Sequence, residues 1–184
     1  HTNQSSTYPL IKTVLGKGNP QRVLISAGIH GDEPGRVESL LSFLQNEHYL
    51  PYINNWEITL LPCINPHGYE FGIRENHQGK DLNRLFKVDE PPIEVFFAQS
   101  ILRIPFELTI ELHEDNESTD YYLYQKGIDA KDDKLGLEIL DAIKNIMPIN
   151  LDDEIDGSSA EHGVIRNNID ISSMDWWPMA LYGF

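Results

Sequence analysis

Cysteine is almost absent from this chain. Cys63 is the only one in 184 residues, so no intramolecular disulfide is available and the fold cannot depend on an oxidising compartment. Long apolar runs are missing as well. No stretch approaches the ~20 residues that cross a bilayer as a helix, which sets the helical membrane-spanning classes aside. Basic residues are few: 14 Lys and Arg stand against 29 Asp and Glu, a formal net charge of −15. So acidic a chain argues against nucleic acid or an anionic membrane as partner. The opening residues, His1-Thr2-Asn3-Gln4-Ser5-Ser6, lack a starting Met and the basic-then-apolar pattern of a secretory leader. Cytoplasm is the default expectation for location, and oligomeric state is not legible.

What is present is ordinary for a globular chain of this length: 40% hydrophobic and 23% charged residues, enough for one domain with a core. Apolar β-rich runs alternate with helical patterns. After a lead-in with an edge strand at Ile11–Leu15, Arg22–Ile29 reads as a buried strand. Pro34 suits the first turn of a helix, with Val37, Leu40, Leu41 and Leu44 on one apolar face. Trp56–Ile64 reads as a second central strand, ending in a turn at Asn65-Pro66-His67-Gly68. Residues 69–87 read as an irregular polar loop. Pro91-Pro92 opens a helix with Ile93, Phe96, Phe97 and Ile101 as its buried stripe, and Pro105 ends it. Phe106–Leu112 is the third strong strand and Tyr121–Tyr124 a short one. Asp132 or Asp133 is expected to cap a helix carrying Leu135, Ile139, Ile143 and Met147. The expected fold is α/β, a mostly parallel or mixed central sheet with helices on both faces.

The chemistry concentrates at strand ends. His30 and Glu33 lie three apart in the Gly28–Gly35 loop that follows Arg22–Ile29. His113 directly follows Phe106–Leu112. Two His and one Glu are a common ligand set for a catalytic zinc with an open position, and imidazole with carboxylate suits that ion. A His three residues from a Glu also arises by chance as a surface pair or a cap. The strand–turn–helix context and the second strand-end His favour the metal. In α/β sheets ligands bind beyond the carboxyl ends of the strands, where all three residues fall.

Together these residues resemble the zinc carboxypeptidase superfamily, which also holds the aspartoacylase and succinylglutamate desuccinylase enzymes. The matching motifs are His30-Gly31-Asp32-Glu33, Asn65-Pro66-His67-Gly68, Arg74, Asn83-Arg84 and Glu111-Leu112-His113. The runs His30–Glu33 and Asp81-Leu82-Asn83-Arg84-Leu85-Phe86 are most like the aspartoacylase branch. Order and spacing agree from about residue 20 to residue 125. The resemblance implies that His30, Glu33 and His113 hold one Zn2+. It implies that Arg74 polarises the scissile carbonyl and stabilises the oxyanion, and that Asn83 and Arg84 grip a substrate carboxylate. Arg pairs with a carboxylate through its planar fork. For Asn83-Arg84 alone, a helix cap with a surface ion pair is the plainer alternative.

Two features depart from that family. A general-base Glu on a later strand is not identifiable, and residues 1–184 are therefore expected to be a single catalytic domain lacking its C-terminal end. Glu114-Asp115 directly after the ligand His is unusual. It reads as a solvated acidic loop, with a carboxylate orienting His113 or His30, or a second metal near Asp115, as the lesser alternatives. Tyr121, Tyr122, Tyr124 and Tyr182 are all candidates for a substrate-closing tyrosine. Cys63 is read as a buried, inert thiol. The expected function is zinc-dependent hydrolysis of an amide, as a metallocarboxypeptidase releasing a C-terminal residue. The alternatives are an N-acyl amino acid deacylase and a non-catalytic zinc module that binds carboxylates. The expected partner is a peptide or small N-acyl amino acid with a free carboxylate.

Overall fold

The structure is a computed structural model and describes residues 7–118, 120–127, 134–166, 175 and 178–182. The chain forms two compact units, His1–Glu114 with Met174–Phe184, and Asp115–Ser173.

The first unit is built on a four-stranded sheet. Its strands are β1 (Thr13–Leu15), β2 (Gln21–Ala27), β3 (Trp56–Leu61) and β4 (Leu108–Leu112), in spatial order β1-β3-β2-β4. β2 runs parallel to both β3 and β4, and β1 is antiparallel to β3. Side chains alternate across β2 with the two-residue period of a strand. Val23 and Ala27 pack with Val37 and Leu40 of helix α1 (Pro34–Gln45). Leu24 packs on the other face with Val95, Ala98 and Ile101 of helix α3 (Ile93–Leu102). A strand covered on both faces must be apolar on both, which is why this stretch reads as a continuous hydrophobic run. The expected α/β architecture, with helices on both faces of a mixed sheet, is therefore present.

Several local expectations are corrected. Asn65-Pro66-His67-Gly68 is the start of a helix, α2 (Pro66–Phe71). Asn65 caps it by accepting the Gly68 N–H at 2.9 Å, and Gly72, at φ 62, closes it in the left-handed region. Asn and Pro suit an N-cap and N1 as well as a turn, so composition alone did not separate the two. A short 3-10 helix, Leu82–Arg84, interrupts the polar loop. On α1, Val37 and Leu40 are buried as expected, but Leu41 is exposed and Phe43 packs instead. On α3, the buried residues are Val95, Ala98, Gln99 and Ile101 with Glu94, while Ile93 and Phe96 lie exposed. This helix carries two adjoining apolar faces, and the one with the small Ala98 sits against the sheet.

The second unit holds helix α4 (Leu135–Ile143), a parallel pair β5 (Leu123–Gln125) with β8 (Val164–Arg166), and a short antiparallel pair β6 (Glu154–Ile155) with β7 (Ser158–Ser159). Tyr121 joins it by a single bridge to Ile149. Here too the helix face differs from expectation: Gly136 and Leu140 are buried, and Leu135, Ile139 and Met147 are exposed. Gly136 donates its N–H to Gln125 Oε1 at 2.8 Å, and a Cβ there would lie 2.9 Å from Leu123. That close approach sets which side of α4 faces β5. Asp132 and Asp133 lie outside the described residues.

Candidate metal centre

Parallel pairing makes the site. Ala27 at the end of β2 is in register with Leu112 at the end of β4. The loop carrying His30 and Glu33 and the segment carrying His113 thus leave the sheet side by side. Gly31 has a second task in that loop. A Cβ on it would run into the backbone of Gly68 in α2, so only glycine lets the two backbones come this close. The Gly31 N–H and the Asn65 side-chain amide both donate to the Arg74 carbonyl, at 3.4 and 3.1 Å, which ties Arg74 to the same loop.

Glu33 lies at the centre. Its Oε1 is 2.7 Å from His30 Nδ1, and its Oε2 is 3.0 Å from His113 Nδ1 and accepts the Glu114 N–H at 3.0 Å. The two imidazole rings lie 5.0 Å apart between centroids. One donor atom from each of His30, Glu33 and His113 falls within 4.8 Å of the others. His30 and Glu33 are buried and His113 is partly exposed. The side of each ring away from Glu33 also meets a carboxylate. Asp81 Oδ1 is 3.2 Å from His30 Nε2, and Glu111 Oε1 is 3.4 Å from His113 Nε2. A carboxylate at Nε2 keeps the proton there and leaves Nδ1 free as a ligand.

The electrostatics agree with that division. Burial alone would raise the Glu33 carboxyl, but hydrogen bonds from His113 and His30, the His113 charge and the Glu114 N–H together hold it at about 2. Burial would lower His113, yet Glu111 and Glu33 outweigh it and push it up to about 10. His30 is also raised: burial opposes the change, and Asp81 and Glu33 overcome it. Asp81 is held well below the usual carboxylate range against its burial, by His30 and Arg74. Two imidazoles with a buried carboxylate between them fit a divalent metal ion.

Of the other expected site residues, Arg74 is beside the cluster. Its Nε donates to Asp81 Oδ2 at 3.1 Å and its Nη1 lies 3.9 Å from Glu33 Oε1, while the side chain stays 37% exposed. Asn83 and Arg84 share the 3-10 turn that Asp81 caps through the Asn83 N–H at 3.0 Å. Asn83 is buried, and its Oδ1 accepts the Met179 N–H at 2.8 Å. Arg84 is exposed. Asp115 bonds the Tyr122 hydroxyl at 2.8 Å and the Glu117 N–H at 2.7 Å. Cys63 is half-buried, and burial pushes its thiol up to about 11.

Two participants had no role assigned from sequence, Asp81 and Glu111. Glu111 stands two before His113 on one strand, and residues i and i+2 share a face, so strand alternation was signal enough for it. Asp81 is recognisable only as the cap of its own turn. That it also reaches His30, 51 positions earlier, is visible only in the fold.

Residues 19–167 match the catalytic-domain model of the succinylglutamate desuccinylase/aspartoacylase family. The chain is 37% identical over 78 residues to murein peptide amidase A of Escherichia coli, a match covering 42% of this chain and 31% of that protein. It resembles a solved structure from Shewanella baltica, provisionally named a metallopeptidase, at 30% identity and a TM-score of 0.69, covering 84% of this chain and 61% of the other. A second provisionally named metallopeptidase, from Shewanella amazonensis, matches at 27% identity and a TM-score of 0.72, covering 89% and 66%. The aligned part thus spans under a third of the curated relative and about three-fifths of the first Shewanella chain. The chain belongs to the succinylglutamate desuccinylase/aspartoacylase family, within the zinc carboxypeptidase superfamily.

Proposed function

We propose that this protein hydrolyses an amide bond next to a free carboxylate, using a single zinc ion held by His30, Glu33 and His113. The observation that carries this reading is the convergence of those three donors within 4.8 Å, with the partly exposed guanidinium of Arg74 beside them. Bound there, zinc supplies Lewis acidity and a water of lowered pKa. Arg74, oriented by Asp81, presents a cation to the oxygen on which negative charge develops. Such a group stabilises the transition state more than the ground state. Asp81 keeps a proton on the outer nitrogen of His30, and Glu111 faces the outer nitrogen of His113 as an ion-pair partner. Arg84 and Asn83 grip the substrate carboxylate, Asn83 through its Nδ2 while its Oδ1 accepts the Met179 N–H.

The preferred substrate is a peptide from which a C-terminal residue is released. Similarity to a protein named murein peptide amidase and to two chains provisionally named metallopeptidases supports it. The second reading, removal of an acyl group from an N-acyl amino acid, is favoured by the family model itself. Steady-state kinetics of the zinc-loaded protein on a panel of peptides and N-acyl amino acids separates the two. Turnover confined to peptides with a free C-terminus is expected. Turnover of acyl amino acids alone removes the peptidase reading, and no turnover of either class by zinc-loaded protein removes the hydrolase.

A further inference from the structure

We propose that Arg36 and Glu114 form a positioning clamp that holds the two halves of the metal site together. The idea rests on the zinc site proposed above and adds two residues that touch neither the ion nor the substrate. One half of the site, His30 and Glu33, belongs to the loop between β2 and α1. The other half, His113, belongs to the end of β4, and Glu33 and His113 are 80 positions apart in the chain.

Besides the His113–Glu33 side-chain contact itself, three hydrogen bonds cross between the halves. The Glu114 N–H donates to Glu33 Oε2 at 3.0 Å. Arg36 Nε donates to the His113 carbonyl at 2.6 Å. The Arg36 N–H donates to Glu114 Oε1 at 3.2 Å. The last bond explains an oddity of α1. Glu33 stands at the N-cap, yet its side chain makes no capping bond. A helix start leaves its first N–H groups unpaired, and here an acceptor arrives from the end of β4. Glu114 does the capping, so neither Glu33 oxygen is spent on the helix start and each meets an imidazole. Arg36 lies in the first helical turn, where the macrodipole disfavours a cation. The His113 carbonyl gives it a compensating partner and pins the ligand's own backbone.

Gly35 belongs to the device. A Cβ at that position would lie 2.8 Å from Glu114 Oε1. The obstructed atom is the end of a flexible side chain, so Gly35→Ala displaces the Glu114 carboxylate at little cost to the fold. Alanine is also the better helix former. A purely structural cap and a clamp therefore predict different things for this variant.

The test measures zinc dissociation constants by chelator competition, thermal midpoints of the metal-free protein, and the visible absorption of the cobalt-substituted form. Variants are R36A, E114A, E114Q, G35A and the R36A/E114A pair, against the unmodified protein. Residues that orient ligands typically cost about 10–100-fold in metal affinity when removed, and that loss is expected for R36A, E114A and G35A, with an altered cobalt spectrum. E114Q, which keeps an acceptor oxygen, should recover most of the affinity. The double variant should fall well short of the product of the singles, as coupled residues do. G35A should lose affinity while its midpoint holds or rises. Zinc affinity within about twofold of the unmodified protein in all three single variants, well inside the loss expected for an orienting residue, overturns the clamp and leaves the metal site standing. An unmodified protein that takes up no zinc overturns both.

Discussion

Asp81 Oδ1 faces His30 Nε2 at 3.2 Å, on the side of the ring away from Glu33. The imidazole is thereby fixed between two carboxylates, one holding its proton and one sharing its ligand position. Asp81 also caps the turn that carries Arg84 and orients Arg74 through its other oxygen. One side chain thus connects the proposed metal ligand His30, the proposed oxyanion-stabilising Arg74 and the proposed carboxylate grip of Arg84.

Asp81→Asn keeps an acceptor for the Asn83 N–H but gives up the charge that holds the proton at His30 Nε2. The expected result is a zinc affinity lower by about 10–100-fold, together with a lower thermal midpoint for the metal-free protein, because the same carboxyl is held below its ordinary range by His30 and Arg74. Chelator competition and a melting curve on the same preparation check both halves. Asp81→Ala, which also removes the cap, should lower the midpoint further, by the ~1 kcal/mol typical of a lost cap.

At the proposed site, zinc must displace protons to bind. With His113 pushed up to about 10 and His30 raised in the metal-free protein, both imidazoles compete for protons at neutral pH. Metal affinity should therefore rise steadily from pH 6 to pH 9 and flatten only as the pH passes about 10. Calorimetric titration with zinc in two buffers of different ionisation enthalpy should report net proton release at pH 7. An affinity that stays level from pH 6 to pH 9 would show that the ligand nitrogens are already free, and that the carboxylates around them do not hold protons in place.

The convergence of His30, Glu33 and His113 was legible in the sequence because the three proposed ligands sit next to strong local signals. His30 follows an apolar run and a glycine, Glu33 precedes a proline that opens a helix, and His113 ends a strand. Strand alternation and helix-start chemistry act over a few residues, so they survive without a fold. What was not legible depended on which of two equivalent faces a partner selects. The apolar face of α3 shifted from Ile93 and Phe96 to Val95 and Ala98 because the sheet accepts the side with the small residue. Asn65-Pro66 served a helix instead of a turn for the same lack of local distinction. Glu114 read as a solvated acid, and its carboxylate caps a helix whose start lies 80 residues earlier. No neighbour in the sequence announces a contact of that kind.

Acid should weaken the metal-free protein through Glu33. The folded pKa of about 2 lies below the ordinary value of 4.5. Its contribution is therefore present above pH 4.5 and is lost as the pH falls through about 2. The full loss is on the order of 3 kcal/mol, given about 1.4 kcal/mol per pKa unit. His113 acts in the opposite sense. Its raised pKa adds stability below pH 6.5 that fades as the pH rises through about 10. Denaturant midpoints of the metal-free protein should accordingly peak between pH 4.5 and pH 6.5. Glu33→Gln should flatten the acid limb and abolish zinc binding. A metal-free protein equally stable at pH 3 and pH 6 would mean that Glu33 gains nothing from its two imidazoles.

Arg74 offers the sharpest separation of binding from chemistry. Its guanidinium is held by Asp81 and stands 3.9 Å from Glu33 without making a ligand bond. Arg74→Ala should leave zinc content unchanged and KM little altered, while kcat falls by about 10²–10³, the usual cost of removing one donor to a developing oxyanion. Arg74→Lys keeps the charge but loses the fork that reaches Asp81, so it should recover only part of the rate. Arg84→Ala should do the reverse, raising KM for carboxylate-ended substrates with a smaller effect on kcat, because a grip present in both ground and transition states is uniform binding. Metal analysis beside each rate measurement keeps the two causes apart. An Arg74→Ala enzyme that is fully loaded and undiminished in kcat would take Arg74 out of the chemistry and leave it an ion-pair partner of Asp81 and Glu33.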